Sequence, residues 1–112
     1  MNDVNVREGS RDEELKLLGE KINEPALRSS IRILILISLA LNNRLTFTDL
    51  LELTGVGKGS LSNHLDKLEA AGLVESKIVR TFGGYRMIVS ITTKGKEAYM
   101  SLIGILNQLS KR

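Results

Sequence analysis

Between Thr46 and Gly72 the chain predicts two short amphipathic helices joined at a glycine, and no other stretch limits the fold as strongly. Thr46, followed by Asp49 three residues on, has the spacing of a capping box, which satisfies free backbone N–H groups at a helix start. Gly55 suits the left-handed conformation that ends a helix and turns the chain. The second helix keeps leucines at i, i+4 and i+7, on one face of a 3.6-residue period: Leu61, Leu65 and Leu68.

Two helices in this order form a helix-turn-helix, whose second helix enters the DNA major groove. We expect the first helix to bury Leu50, Leu51 and Leu53, with Phe47 beneath its start and Val56 between the two helices. The second, over residues 58–71, points polar and basic residues away from its leucine face. These outward residues are Lys58, Ser60, Ser62, Asn63 and Lys67, and Gly59 frees the backbone near the helix start so that N–H groups can approach a phosphate.

A β-hairpin is predicted directly after these helices, over residues 73–91. Leu73 to Arg80 and Tyr85 to Ile91 are rich in Val and Ile, and Phe82-Gly83-Gly84 lies at the turn between them. A hairpin in this position is the wing of a winged helix. The fold class is therefore mainly α with a small β-hairpin (α+β), a winged helix-turn-helix with helices at both ends.

The chain resembles the winged-helix transcriptional regulators of the ArsR/MarR type, and in particular the small winged helix DNA-binding domain proteins of archaea and bacteria. The similarity covers about Pro25 to Met100. It rests on six segments in order: Glu24–Arg28, Leu45–Leu50, Leu53–Gly55, Lys58–Leu65, Leu68–Val74 and Ile91–Lys96. The resemblance implies sequence-specific binding of double-stranded DNA by a homodimer, with the second helix in the major groove and the wing beside it. It also implies that His64 packs at the core edge or donates to a phosphate.

Length and charge agree with a single small domain. The 112 residues have a formal net charge of +3, and the basic residues concentrate from Lys58 onward, where the helix-turn-helix and wing lie. Residues 1–10 have no apolar period and are predicted to be a disordered arm, leaving residues 11–112 as the domain. The absence of cysteine suits an intracellular protein, and we expect a cytoplasmic location.

The apolar run Ile31–Leu41 contains Arg32 and is too short to span a bilayer. Its flanks favour a helix, with Asn23 as the cap, Pro25 in the first turn and Asn42-Asn43 at the end. A helix that is apolar on every side is expected to be buried on every side, in part by a partner subunit.

Apolar residues at both ends of the chain predict an interface. In the C-terminal helix, over residues 93–110, they follow the 3, 4, 3 spacing of a coiled-coil seam, and the N-terminal segment repeats a 3, 4 spacing. These helices either fold back onto their own wing and core or form the interface of a homodimer, which we favour. The predicted interface residues are Leu15, Leu18, Ile22, Tyr99, Leu102, Ile103, Leu106 and Leu109.

The residues predicted to contact DNA sort by role. Asn63 can bind an adenine edge in a bidentate manner, and Lys58 a guanine edge or a phosphate. Wing cations grip the backbone or enter the minor groove. The full set is Lys58, Gly59, Ser60, Ser62, Asn63, His64, Lys67, Lys77, Arg80 and Arg86.

Other classes of function are less well supported. His64 is the only histidine and there is no cysteine, so no metal site is expected, and no cofactor either. No catalytic triad or carboxylate pair stands out, which argues against an enzyme. The alternative is a winged helix used as a protein-interaction module in a larger transcription or chromatin assembly. Nothing in the sequence identifies a small-molecule effector.

Overall fold

The computed structural model describes residues 9–111, which form one winged helix. Residues 1–8 of the predicted arm lie outside the described residues, whereas Gly9 and Ser10, assigned to that arm from the sequence, belong to the first helix. The helices are α1 (Gly9–Ile22), a 3₁₀ helix (Pro25–Leu27), α2 (Ser30–Asn42), α3 (Phe47–Thr54), α4 (Lys58–Ala70) and α5 (Thr93–Ser110). The strands are β1 (Arg44–Thr46), β2 (Val74–Thr81) and β3 (Gly84–Ile91).

Helix α2 is the centre of the core. Ile35, Leu36 and Leu39 are fully buried and belong to one cluster with the buried residues of α3, α4 and the sheet. One expectation about this helix is wrong. It begins at Ser30, because the Ser29 hydroxyl accepts a hydrogen bond from the Arg32 amide at 3.2 Å, so Ser29 and not Asn23 is its cap. Leu34 and Leu41 are exposed in the single chain, so the expectation that a partner subunit covers part of this helix stays a prediction.

The helix-turn-helix has the predicted local geometry. The Thr46 hydroxyl accepts from the Asp49 amide at 2.9 Å, and the Asp49 carboxylate accepts from the Thr46 amide at 3.0 Å, which completes the capping box. Gly55 ends α3 with φ of 71°. Leu50 is buried as expected, but Leu53 is exposed, because it lies on the solvent side of α3.

Helix α4 buries the predicted leucine stripe, Leu61, Leu65 and Leu68. The helix ends at Ala70, one residue before the predicted end, and Gly72 follows with φ of 78°. This stripe fixes the rotation of α4 about its axis, so its opposite face points to solvent.

The sheet has three strands in the order β1-β3-β2, all antiparallel. β2 and β3 form the predicted hairpin, with Val74 opposite Ile91 and Thr81 opposite Gly84. β1 was not predicted, because three residues are too few to show the alternation that identifies a strand. It pairs Thr46 with Ile88 and so joins the start of α3 to the wing.

A threonine connects the wing to α5. The Thr92 hydroxyl accepts from the Gly95 amide at 3.0 Å, capping α5, and donates to the carbonyl of Gly72 at 2.6 Å. The Thr92 amide donates to the Leu73 carbonyl at 3.1 Å. α1 packs along α5. The start of α5 is thus attached to the residues that follow α4.

Replacing Gly95 is expected to destabilise the fold. A β-carbon there would overlap the backbone carbonyl of Leu73 and lie 2.7 Å from Ile91 Cγ1. We expect Gly95→Ala to lower the free energy of unfolding by about 1–3 kcal/mol, the usual cost of overpacking. Urea denaturation followed by circular dichroism measures this change.

Gly59→Ala is the matched control. A β-carbon at that helical position meets nothing within 4 Å, so the same substitution should be neutral or stabilise by up to about 1 kcal/mol. Equal effects at the two glycines would mean that the close approach of α5 to Leu73 is not what requires Gly95.

Candidate nucleic-acid interface

The outward face of α4 is polar and accessible. Among the predicted DNA-contacting residues of this helix, Lys58, Gly59, Ser60, Ser62, Asn63 and Lys67 are all exposed. No large apolar side chain is exposed on α4, which is described throughout. The N-cap, Gly57, makes no side-chain capping bond, so the first amides of the helix are left for an outside acceptor such as a phosphate.

The wing presents a cation on each of its two faces. Residues opposite one another in an antiparallel pair share a face, and Arg80 lies opposite Tyr85 whereas Arg86 lies opposite Val79. Arg86 therefore shares its face with Lys77, which is opposite Ile88, and Arg80 points from the other face. All three cations are exposed.

A cleft of about 290 Å³ joins the wing to the helix-turn-helix. The cleft is lined by Ser62 of α4 and by Arg86 of the wing, so residues from both predicted DNA-contacting elements meet there. The remaining lining residues are Thr46, Phe47, Thr48, Tyr85 and Met87. The strand pairing of β1 with β3 brings these elements together, so the cleft depends on the strand that the sequence did not reveal.

Asp49 is an anion beside this cleft. Hydrogen bonds from the backbone and then the side chain of Thr46 lower its carboxyl pKa, and the positive charge of Arg86 lowers it further. The Asp49 carboxylate is therefore charged, and it is hydrogen-bonded within the cap of α3.

A second carboxylate, that of Glu69, lies on the wing-facing side of α4. It accepts a hydrogen bond from the Ser76 hydroxyl at 3.3 Å.

His64 is partly buried and hydrogen-bonded to a buried arginine. Arg32 of α2 is 6% exposed, and its Nη1 lies 2.9 Å from His64 Nδ1. Its Nε and Nη2 donate to the carbonyls of Ala26 and Pro25 at 2.7 and 3.3 Å. Within residues 9–111 no carboxylate pairs with this guanidinium.

This contact determines the tautomer of His64. A guanidinium can only donate hydrogen bonds, so Nδ1 of His64 must accept and the proton of the neutral ring lies on Nε2. Burial lowers the His64 pKa below its ordinary value of 6.5, and the charges of Arg32 and Lys67 lower it further. Burial and the neighbouring charges thus favour the neutral form of His64, whose Nε2–H is available as a donor.

Several of the predicted interface residues at the chain ends are accessible. Leu15, Ile22 and Leu106 are exposed, and Leu18, Tyr99, Ile103 and Leu109 are half-buried. Leu102, in contrast, is only 6% exposed and belongs to the core of this chain. Its burial is complete without a second subunit, so the predicted seam is narrower than the sequence spacing indicated.

Sequence reasoning missed the roles of two residues near the helix-turn-helix and wing, Arg32 and Phe82. Arg32 was noted only as a charge within an apolar run, although a lone charged residue in such a helix signals a buried polar contact. Phe82 was assigned only to the turn, and it is the most exposed large apolar residue described.

The chain belongs to the winged helix DNA-binding domain family, whose model matches residues 31–110. This family consists of DNA-binding regulators and is not enzymatic. The predicted resemblance and fold class are therefore confirmed. None of the described helices is both long and apolar enough to cross a membrane.

Individual proteins agree with this assignment. An uncharacterized protein of Methanocaldococcus jannaschii is 40% identical over 65 residues, which span 58% of this chain and 71% of the relative. A transcriptional regulator homologue from Pyrococcus horikoshii is 28% identical, with a TM-score of 0.69 over 88% of this chain and 99% of that chain.

Two more distant structures share the fold. A complex of S. aureus MepR with DNA has a TM-score of 0.73 at 18% identity, over 89% of this chain and 82% of that chain. A MarR family transcriptional regulator from Silicibacter pomeroyi has a TM-score of 0.64 at 23% identity, over 88% of this chain and 61% of that chain.

The lowered His64 pKa makes stability depend on pH. Because the folded protein binds this proton less tightly than the unfolded chain, His64 contributes stability that is complete above pH 6.5 and is lost as the pH falls through the lowered pKa. We expect the free energy of unfolding to fall as the pH drops below 6.5, and His64→Gln to flatten this dependence, because glutamine accepts from Arg32 without titrating.

Urea denaturation at each pH measures the effect. Ser62→Gln is the control, since it places the same side chain at an exposed position of α4 and should keep the dependence of the unmodified protein. An undiminished dependence in His64→Gln would show that another group titrates.

Proposed function

We propose that this protein is a sequence-specific, double-stranded DNA-binding transcriptional regulator that acts in the cytoplasm as a homodimer. In this proposal α4 lies in the major groove and residues 77–86 of the wing lie on the backbone or in the minor groove. The observation that carries it is the exposed polar face of α4 beside a wing that has a cation on each face. The P. horikoshii regulator homologue and the DNA complex of MepR, which has the same fold, support it.

The proposed roles follow from position. Asn63 and Lys58 are the residues that contact base edges, because they lie on the exposed side of α4 near its start. Lys77, Arg80 and Arg86 contact phosphates. An interaction module would instead show an apolar patch in place of the polar face of α4, and no exposed large apolar residue lies on that helix.

Selection of bound duplexes from a random pool tests the proposal directly. The expected result is a preferred sequence made of two inverted half-sites about one helical turn apart. Recovery of duplexes with no common sequence would contradict sequence-specific recognition.

The homodimer is proposed from apolar side chains left uncovered on the terminal helices. Leu106 and Met100 are 48% and 61% exposed on α5, and Leu15 and Ile22 are exposed on α1. Exposed apolar patches of this kind mark protein interfaces. α1 packs along α5, so these residues belong to a single pair of helices.

The selected sequence makes it possible to separate base contacts from phosphate contacts. Asn63→Ala should weaken the preference at one position of each half-site by about 1–3 kcal/mol and leave the salt dependence unchanged. Arg80→Ala with Arg86→Ala should weaken binding to all sequences alike and lower the salt slope by about one unit per lost phosphate contact.

Fluorescence anisotropy at several salt concentrations measures both effects. Lys16→Ala with Lys111→Ala is the control for net charge, because it removes one exposed cation from α1 and one that directly follows α5. If Asn63→Ala and the wing variant showed the same uniform loss, the division between a sequence-reading helix and a gripping wing would be wrong.

Leu106→Glu should convert the dimer to a monomer that remains folded. A charge buried without a partner at the interface costs several kcal/mol, whereas the exposed position of Leu106 lets the single chain accept it. Leu53→Glu is the control, since Leu53 is comparably exposed on α3. Light scattering at tens of micromolar should find a dimer for the unmodified protein and the control, and a monomer for Leu106→Glu. A monomeric unmodified protein would refute the proposal.

A further inference from the structure

The tip of the wing is apolar and uncovered. Phe82 is exposed to 110% of its reference area, and Tyr85 and Ile78 are exposed to 73% and 69%. Contiguous exposed apolar patches mark contact sites for other molecules. Within residues 9–111 no side chain packs over Phe82.

The turn makes Phe82 the leading side chain of the hairpin. Thr81 pairs with Gly84, and its hydroxyl donates to the Gly84 carbonyl at 2.8 Å, which leaves only Phe82 and Gly83 in the turn. Gly83 has no positive φ, and a β-carbon there would meet nothing within 4 Å. Because Gly83 has no side chain, Phe82 is the only side chain that the two turn residues carry.

The charges around the tip fit a groove and not a flat surface. Arg80 and Arg86 point from opposite faces of the hairpin, and residues 77–86 contain no Asp or Glu. A wing lying flat on one DNA strand needs cations on one face only, which Arg86 and Lys77 supply. A wing entering tip-first between two phosphate strands also needs a cation on the opposite face, which Arg80 supplies.

We propose that Phe82 enters the minor groove of bound DNA as an apolar wedge, partly unstacks a base step and bends the duplex. This inference rests on the proposed DNA-binding function and adds to it a residue that acts by shape and not by charge. Apolar side chains that enter the minor groove in this way widen it and kink the DNA. Arg80 and Arg86 hold the two backbones on either side of the tip. The wing thereby selects sequences with easily unstacked steps, such as TA or CA.

A set of substitutions at position 82 tests the wedge. The probe is a duplex carrying the selected sequence, with a donor and an acceptor dye at its ends, so that energy transfer reports bending and anisotropy reports affinity. Phe82→Ala should abolish the bend and weaken binding about tenfold, the loss expected when an aromatic side chain is no longer buried, with the salt slope unchanged. Phe82→Leu should keep most of the bend, because leucine is also an apolar wedge.

Phe82→Lys separates shape from charge. The added cation should raise the salt slope by about one unit without restoring the bend. If it bent the DNA as the unmodified protein does, the tip would act as a phosphate contact and the wedge would be refuted. Because position 82 is fully exposed, none of these variants should unfold, and circular dichroism checks this.

The remaining outcomes are distinct from failure of the proposed function. An unmodified protein that bound no duplex would refute DNA binding itself. An unmodified protein that bound DNA without bending it, or a Phe82→Ala variant that bound and bent DNA normally, would refute only the wedge. Loss of the dimer in Phe82→Ala would show by light scattering that the tip contacts protein, which also refutes it.

Discussion

The burial of one leucine stripe of α4 against α2 determines what this protein presents to its surroundings. Leu61, Leu65 and Leu68 belong to the same buried cluster as the inner residues of α2. Each fully buried leucine stabilises the fold by about 1.5–3 kcal/mol, so rotating α4 to expose all three would cost an amount comparable to the whole stability of a small domain, about 5–15 kcal/mol. The polar face of α4 is therefore fixed in orientation before any ligand arrives. Recognition residues on a helix held in this way lose little conformational entropy on binding.

Hydrogen bonds of Arg32 attach α4 to the rest of the chain at a second place. Its guanidinium binds two carbonyls of the 3₁₀ segment and Nδ1 of His64, so one buried side chain joins α2, the segment before it and α4. Hydrogen bonds from a charged donor are stronger than neutral ones, about 1.5–3 kcal/mol each. Because His64 lies on α4, one of the hydrogen bonds that Arg32 makes depends on the orientation of α4.

Local patterns were predictable from the sequence and nonlocal contacts were not. The capping box of Thr46 and Asp49 and the end of α3 at Gly55 depend on residues within one helical turn, so spacing alone revealed them. Ser29 and Asn23 are both good capping residues, and in the structure Ser29 caps α2 while Pro25–Leu27 forms a separate 3₁₀ helix. Leu53 was predicted to be buried within the chain and Leu102 to lie at the dimer interface, yet Leu53 is exposed and Leu102 is buried in the core, because burial depends on neighbours distant in the sequence.

The candidate DNA surface shows the same division. The outward residues of α4 follow from helical periodicity, and those of the predicted set are exposed except His64, which is half-buried. The cleft beside them requires β1 to pair with β3 across more than forty residues, and no local signal encodes that pairing. The opposite directions of Arg80 and Arg86 follow only from the strand register, which the position of the two-residue turn determines.

The hydroxyl of Thr92 has a mechanical consequence. It joins Gly72, two residues beyond the end of α4, to the first turn of α5. Only Thr92 separates the end of β3 at Ile91 from the start of α5 at Thr93. In the proposed dimer, each α4 therefore moves together with its α5 as one rigid unit. The fold then fixes the distance between the two α4 helices. Any molecule that changed the angle between the paired α5 helices would change this distance, so that it no longer matched the pitch of DNA.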